Sequence, residues 1–438
     1  MLFGVPGLKK TLSGFFVFIL LTIVLVSCGY KSSSNQYSQG GIKLRAFVSN
    51  PVFPNGAGGG GPALEIVDAS KDILSTSLVS LFGVVPDAGM MALSPKRDRT
   101  LIYSPSNNSL AIVSNAQASV ASTVSLLGPT QSMFVWTDNT TAFVAVPTAA
   151  VAGQPVGVVQ RIDISTASTT ATIPIPGAHY LVPSPSGNQI LVISDSANTV
   201  TLLAPSLIGS GNPLTTIPVV FDKPVWAVFS ADGSTAYVMN CGPECGGTAA
   251  SVAVLDMTQN PPVLASAPAT NPVPVPAATK ALLQGTSLYV VGTPPPPSNA
   301  CVGVTTASTS CGQLAVVDAS SFTVTAPKPI TDGYHDRIEM GANGQLFIGG
   351  RNCTNIKIVG GEVRGCLTIA NTSSGSISSV TAARDIGDVT GIEPIPNRQV
   401  VYVCEGGQLK IYDTTTDKLQ TTQVSVTGQA IDVKVVDF

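Results

Sequence analysis

Histidine and charge are what this sequence has least of. Its 438 residues include two histidines, His179 and His335. That excludes a His-rich catalytic zinc site of the zincin kind, and HExxH is absent. Charged residues make up 11% of the chain, with a formal net charge of −3 and no basic run. An average soluble domain carries roughly 25%. Nucleic-acid binding needs a concentrated positive patch to displace phosphate counterions, so no nucleic-acid partner is expected. No GxSxG nucleophile elbow occurs. Stretches rich in Lys, Glu and Leu are missing too, which argues against long helices.

What is present favours short strands. Hydrophobic residues reach 44%, with 42 Gly and 33 Pro. Disordered chains are poor in hydrophobics and rich in charge, so most of this chain should fold. Thr, Ser and Val are abundant, and that mix suits strands broken by many turns.

One short apolar strand recurs: Ala46-Phe47-Val48, Leu101-Ile102-Tyr103, Ala142-Phe143-Val144, Ile190-Leu191-Val192, Ala236-Tyr237-Val238, Leu288-Tyr289-Val290, Leu346-Phe347-Ile348 and Val401-Tyr402-Val403. Successive copies lie 41 to 58 residues apart, the period of four-stranded propeller blades. Tight-turn signals such as Ser230-Ala231-Asp232-Gly233 precede most copies, and a strand often ending in Asp follows: Asp68, Asp163, Asp256, Asp318 and Asp413. Each Asp stands before Ser/Thr-rich sequence and is read as an Asx turn rather than a catalytic group. Ser184 to Leu203 (SPSGNQILVISDSANTVTLL) and Ser230 to Asp256 resemble the YVTN family of β-propeller repeats. The resemblance implies the fold strongly and the activity weakly.

Seven units have their own first strand, near Met90, Val135, Tyr180, Trp226, Ala281, Ile338 and Ile392; the first unit, starting at Lys43, does not. The C-terminal Ala430 to Val435 is expected to supply it and close the ring. The expectation is an all-β fold: a β-propeller of eight four-stranded blades over 42–438, or seven if one of the looser units fails.

Residues 1–27 read as a signal peptide: Lys9 and Lys10, an apolar run from Leu12 to Val26 shorter than the ~20 residues that span a bilayer, then small residues. Leu25-Val26-Ser27-Cys28 resembles the lipobox of bacterial lipoproteins. That resemblance implies acylation of Cys28, a lipid anchor in the cell envelope, and, with Gly29 rather than Asp next, the outer membrane. The rival reading is an ordinary signal peptide with a chance Cys. Residues 28–41 form a polar tether. Six further cysteines are close in sequence as Cys241 and Cys245, Cys301 and Cys311, Cys353 and Cys366. An oxidising compartment makes them disulfides; zinc is the rival, without CxxC or a nearby His to support it. Cys404 is left as a buried thiol.

Insertions fall between second and third strands, at 51–63, 241–250, 293–312 and 353–366, so one rim should be elaborate and the other minimal. Gly56 to Gly61 satisfies GxGxxG, but a strand follows where a phosphate cradle needs a helix. Pro294 to Pro297 stiffens another loop. Ile338-Glu339, Ile392-Glu393 and Ile431-Asp432 recur on first strands of ring-adjacent units. Glu339, Glu393 and Asp432 are therefore candidate ligands for a divalent cation such as Ca²⁺. His335 and Asp336 are candidate catalytic groups beside them. Trp136 and Trp226 on first strands are read as packing residues. Two functions compete: a binding module for a protein, glycan or surface polymer, and a metal-assisted lactone or ester hydrolase with its site in the central channel.

Overall fold

In the computed structural model, which describes residues 41–54, 60–295, 311–353, 366–379, 387–421 and 423–437, the chain forms eight antiparallel sheets built on four strands each. It is an eight-bladed β-propeller. The fifth sheet carries one added strand, Val273–Pro274. Residues 1–40, with Cys28 and the tether, lie outside the described residues, as do Cys301, most of the GxGxxG loop and Pro296–Pro297. Among the described residues no helix is long and apolar enough to cross a membrane.

The strand gradient follows from sequence. Second and third strands such as Thr141–Val146 and Ser109–Ser114 are buried along their whole length, because neighbouring blades cover both faces. Outer strands such as Ser119–Ser125 mix Ser and Thr with Val and Ala and are largely exposed. Eight buried clusters fill the eight interfaces between blades; Val291, Leu314, Ile338 and Ile348, for example, join blades 6 and 7. The strand-end Asp residues close Asx turns as expected: Asp163 accepts from the Ser165 N–H at 2.8 Å and Asp413 from that of Thr415 at 2.7 Å. Asn371 does the same work in blade 7 at 3.0 Å.

Closure uses both termini. Asp432–Val435 is the innermost strand of blade 1 and pairs with Arg45–Pro54, placing Ala46 opposite Val435 and Ser49 opposite Asp432. Arg45, 1% exposed, holds Asp437 through two side-chain bonds of 2.8 and 2.7 Å and the Asn115 carbonyl of blade 2. On the other side Arg398 of blade 8 pairs with Asp72 of blade 1, which also accepts from the Tyr402 hydroxyl at 2.5 Å.

Candidate functional site

Register fixes which side chains share a height around the axis. The central residues of the second strands, Phe47 through Tyr402, mark one level in all eight blades. Their partners on the innermost strands are Lys434, Met91, Phe134, Val182, Val228, Leu282, Glu339 and Glu393. Asp432 therefore does not share the height of the two glutamates. It pairs with Ser49 and sits two residues, about 7 Å, nearer the strand start. Lys434 holds the equivalent place in blade 1.

The ammonium of Lys434 lies 3.5 Å from Glu393 and 3.7 Å from Asp432, and Glu339 acts on it electrostatically. Burial alone would depress this lysine, but the three carboxylates outweigh burial and hold it above its usual range. Burial raises Glu339 and Glu393, with Lys434 opposing. Glu393 also accepts the Val435 N–H at 3.0 Å, and Asp432 accepts those of Met91 at 2.8 Å and Val433 at 2.9 Å. Among the described residues no group of three or more His, Cys, Asp or Glu is set to hold a metal ion. The three acidic candidates do come together, but around a lysine.

Two residues nearer the strand starts is a second layer: Asp432, Ser132, Tyr180, Trp226, Lys280, Arg337 and Gly391. At Gly391 a Cβ would stand 2.9 Å from Asp432 Oδ1, so glycine makes room for that carboxylate. Five members of the layer, Asp432, Tyr180, Trp226, Lys280 and Arg337, wall an axial cavity of about 220 Å³, to which Tyr103, Tyr334, Asp336 and Arg351 also contribute. Its wall comes from the starts of innermost strands and, through Arg351, the end of a second strand. The cavity thus opens on the rim that carries the connections between blades and the loops between second and third strands.

That rim is stapled. Cys241–Cys245 and Cys353–Cys366 are disulfides with Cα separations of 5.7 and 5.6 Å, and Cys311 is disulfide-bonded as well. Cys404 is a buried free thiol.

The cavity mixes aromatic faces with unsatisfied polar atoms. Lys280 Nζ stands 2.9 Å from the centroid of the Trp226 ring and has no hydrogen bond or ion pair among the described residues. Burial and the neighbouring Arg337 guanidinium push it down to about 7. Asp336 pairs through one oxygen with Arg337 at 3.2 Å and with Arg351; its other oxygen, Oδ1, is buried without a partner. The pairing of Tyr334–Met340 with its neighbour shifts between His335 and Arg337, and Asp336 is the extra residue of that bulge. Bulges re-aim side chains in this way beside functional sites. The hydroxyls of Tyr180 and Tyr334 lie 3.3 Å apart, and burial raises both phenols, so they stay neutral.

His335 stands apart from its sequence neighbour. It is fully buried, off the cavity wall, with Gly312 and Gly350 against its ring, and burial pushes it down to about 4. Trp136 packs as expected, edge-on to Phe143 at 5.5 Å between ring centres. Trp226 packs and also lines the cavity. Sequence reasoning missed Lys280, Arg351 and the Tyr180–Tyr334 pair. A signal existed: Tyr180, Lys280 and Tyr334 each open an innermost strand, and Lys280 is the one charged residue in its strand, KALLQ.

No protein-family model matches this chain, and no curated protein does. Solved structures do. A dihydro-heme d1 dehydrogenase in complex with DHE is 12% identical with a TM-score of 0.61, covering 90% of this chain and 75% of that one. The hydrazine synthase of Kuenenia stuttgartiensis is 14% identical with a TM-score of 0.54, covering 78% and 97%. A protein of unknown function from Desulfotomaculum acetoxidans is 13% identical with a TM-score of 0.51, covering 90% and 99%. At such identities the likeness establishes the propeller fold and nothing about chemistry.

Proposed function

We propose that this chain is an extracytoplasmic binding module, anchored to the outer membrane through acyl chains on Cys28, whose ligand is a glycan seated in the axial cavity. The observation that carries this reading is the pairing of open polar atoms with aromatic faces. Asp336 Oδ1 is buried without a partner, and Lys280 Nζ, which has no hydrogen bond or ion pair among the described residues, stands over the Trp226 ring, in a cavity also walled by Tyr180 and Tyr334. Buried polar groups are satisfied as a rule, so a ligand hydroxyl is what Asp336 Oδ1 would take, and Lys280 Nζ can donate to a hydroxyl or ring oxygen beside it. Aromatic faces give a sugar ring its apolar contact, and a few placed polar groups give orientation. The stapled loops on the same rim would hold the entrance rigid.

The rival reading, a metal-assisted lactone or ester hydrolase, has less support. Two of its proposed cation ligands, Glu393 and Asp432, are engaged by Lys434 and by backbone N–H groups, and the third, Glu339, feels the same lysine electrostatically.

Calorimetric titration with glucose, N-acetylglucosamine and glucuronate tests the binding reading. The expected result is saturable binding of at least one sugar that Lys280→Met weakens tenfold or more. Heat from none of the three, or binding indifferent to Lys280→Met, would remove the cavity from consideration.

A further inference from the structure

We infer that Lys280 is a nucleophilic amine that captures an aldehyde or ketone in the axial cavity as an imine. The inference rests on the cavity being the ligand site and adds what kind of ligand it holds: one presenting a carbonyl carbon, such as the open-chain form of a reducing sugar.

Position comes first. Lys280 opens the innermost strand of blade 6, in the same layer as Trp226 and Arg337, and its Nζ reaches into the cavity. A lysine that serves structure finds a carboxylate or carbonyls. Lys434 shows this one layer below, between Glu393 and Asp432. Lys280 has neither among the described residues; its Nζ stands over the Trp226 ring. The carboxylates that act on it, Asp336 and Glu339, are outweighed by burial and by Arg337. Desolvation and a neighbouring cation are the two means by which a lysine is kept unprotonated for covalent chemistry at neutral pH.

The step balances without a further reactant. The Nζ lone pair attacks the carbonyl carbon and forms a C–N bond, while the carbonyl oxygen takes a proton to give a carbinolamine. Loss of that oxygen as water, with a proton drawn from nitrogen, leaves a C=N bond. The unpartnered Asp336 Oδ1 is the wall's available proton acceptor, and its charge would offset a protonated imine. The neutral Tyr180 and Tyr334 hydroxyls can donate to the carbinolamine oxygen.

Reductive trapping tests this. The full chain is incubated with glyceraldehyde and cyanoborohydride from pH 6 to 9, and the added mass at each lysine is read by peptide mass spectrometry. Lys71, 68% exposed, is the internal reference. At pH 7 an ordinary lysine is neutral in about one molecule in a thousand or fewer. Lys280 should therefore be labelled at least tenfold faster than Lys71, with the advantage shrinking towards pH 9. Arg337→Gln should move the midpoint of the Lys280 rate upward in pH. Labelling of Lys280 no faster than Lys71 at pH 7 would overturn the inference, as would a Lys280 rate flat across the range. A sugar that binds in calorimetry while glyceraldehyde leaves Lys280 unlabelled would remove the imine and keep the binding reading. Fast Lys280 labelling with no sugar bound would keep the amine and remove the glycan.

Discussion

Two halves of one ring, built from the same repeat, line the axis with opposite chemistry. The innermost strands of blades 2 to 5, Met91–Leu93, Ser132–Val135, Tyr180–Pro183 and Pro224–Phe229, contain no charged residue. Those of blades 6, 7, 8 and 1 carry Lys280, Asp336, Arg337, Glu339, Glu393, Asp432 and Lys434. Their backbones match, so the blade geometry does not call for charge at these positions: the neutral arc meets the same geometry with Met, Phe, Val and Trp. The charged arc also contains Lys280 and the buried, unpartnered Asp336 Oδ1 of the cavity wall. Charge that the scaffold does not need is where function is best sought.

The largest break in this comparison should come from Lys434→Met. It leaves Glu393 and Asp432, and the nearby Glu339, without their cation. Removing one partner of a buried ionic group costs about 3–5 kcal/mol, and the partial exposure of Lys434 and Glu393 puts this case at the lower end of that range. Phe134→Leu, at the same height in the neutral arc, should cost under about 1.5 kcal/mol. Denaturant unfolding of both variants checks the contrast. Equal losses would mean that Lys434 is solvated rather than structural. Adding Glu339→Gln and Glu393→Gln to Lys434→Met should recover much of the loss, because the charges left behind are then gone.

How far sequence reasoning reached is explained by this layer. The repeat, the eight units and the closing strand were legible because each rests on a local pattern: an aromatic mid-strand residue, a turn signal, a missing first strand. The acidic layer was only half legible. Ile338-Glu339 and Ile392-Glu393 align in sequence and in space, but Ile431-Asp432 aligns in sequence alone. Register in blade 1 is set by the C-terminal strand pairing with Arg45–Pro54, contacts almost 400 residues apart that no dipeptide match reports. Lys280 was overlooked for a related reason. A lone lysine in KALLQ reads as a solvated strand end until the other seven strands are placed around it.

A smaller effect should separate the two hydroxyls that bridge the arcs. Tyr180 belongs to the neutral arc and Tyr334 to the charged one, and their contact crosses the cavity wall at 3.3 Å. Tyr180→Phe should cost about 0.5–1.5 kcal/mol of stability, the net worth of one hydrogen bond. Its ring stacking on His179, with centroids 4.0 Å apart, is kept. A loss beyond 3 kcal/mol, read from unfolding curves, would mean that this pair holds the arcs together rather than tuning the cavity.

The last expected effect is one of pH. Glu244 sits in the disulfide-closed turn of blade 5 and accepts the Thr293 N–H of blade 6 at 2.7 Å, so it reaches from the neutral arc to the charged one. Burial pushes it up from 4.5 to about 8. Between those values the folded chain holds a proton there that the unfolded chain has released. Its contribution to stability is therefore complete at the acid end and is lost as pH rises through about 8. Glu244→Gln should flatten the fall in melting temperature across that window, most visibly between pH 6 and 8. Lys280 works in the opposite direction above neutrality: its folded value of about 7 lies below the ordinary 10.5, so the unfolded chain binds the extra proton and stability rises with pH through that range. If Glu244→Gln leaves the slope unchanged below pH 8, its carboxylate is solvated. The contact with Thr293 would then be an ordinary surface hydrogen bond, and the elaborated rim would not couple blade 5 to blade 6 through it.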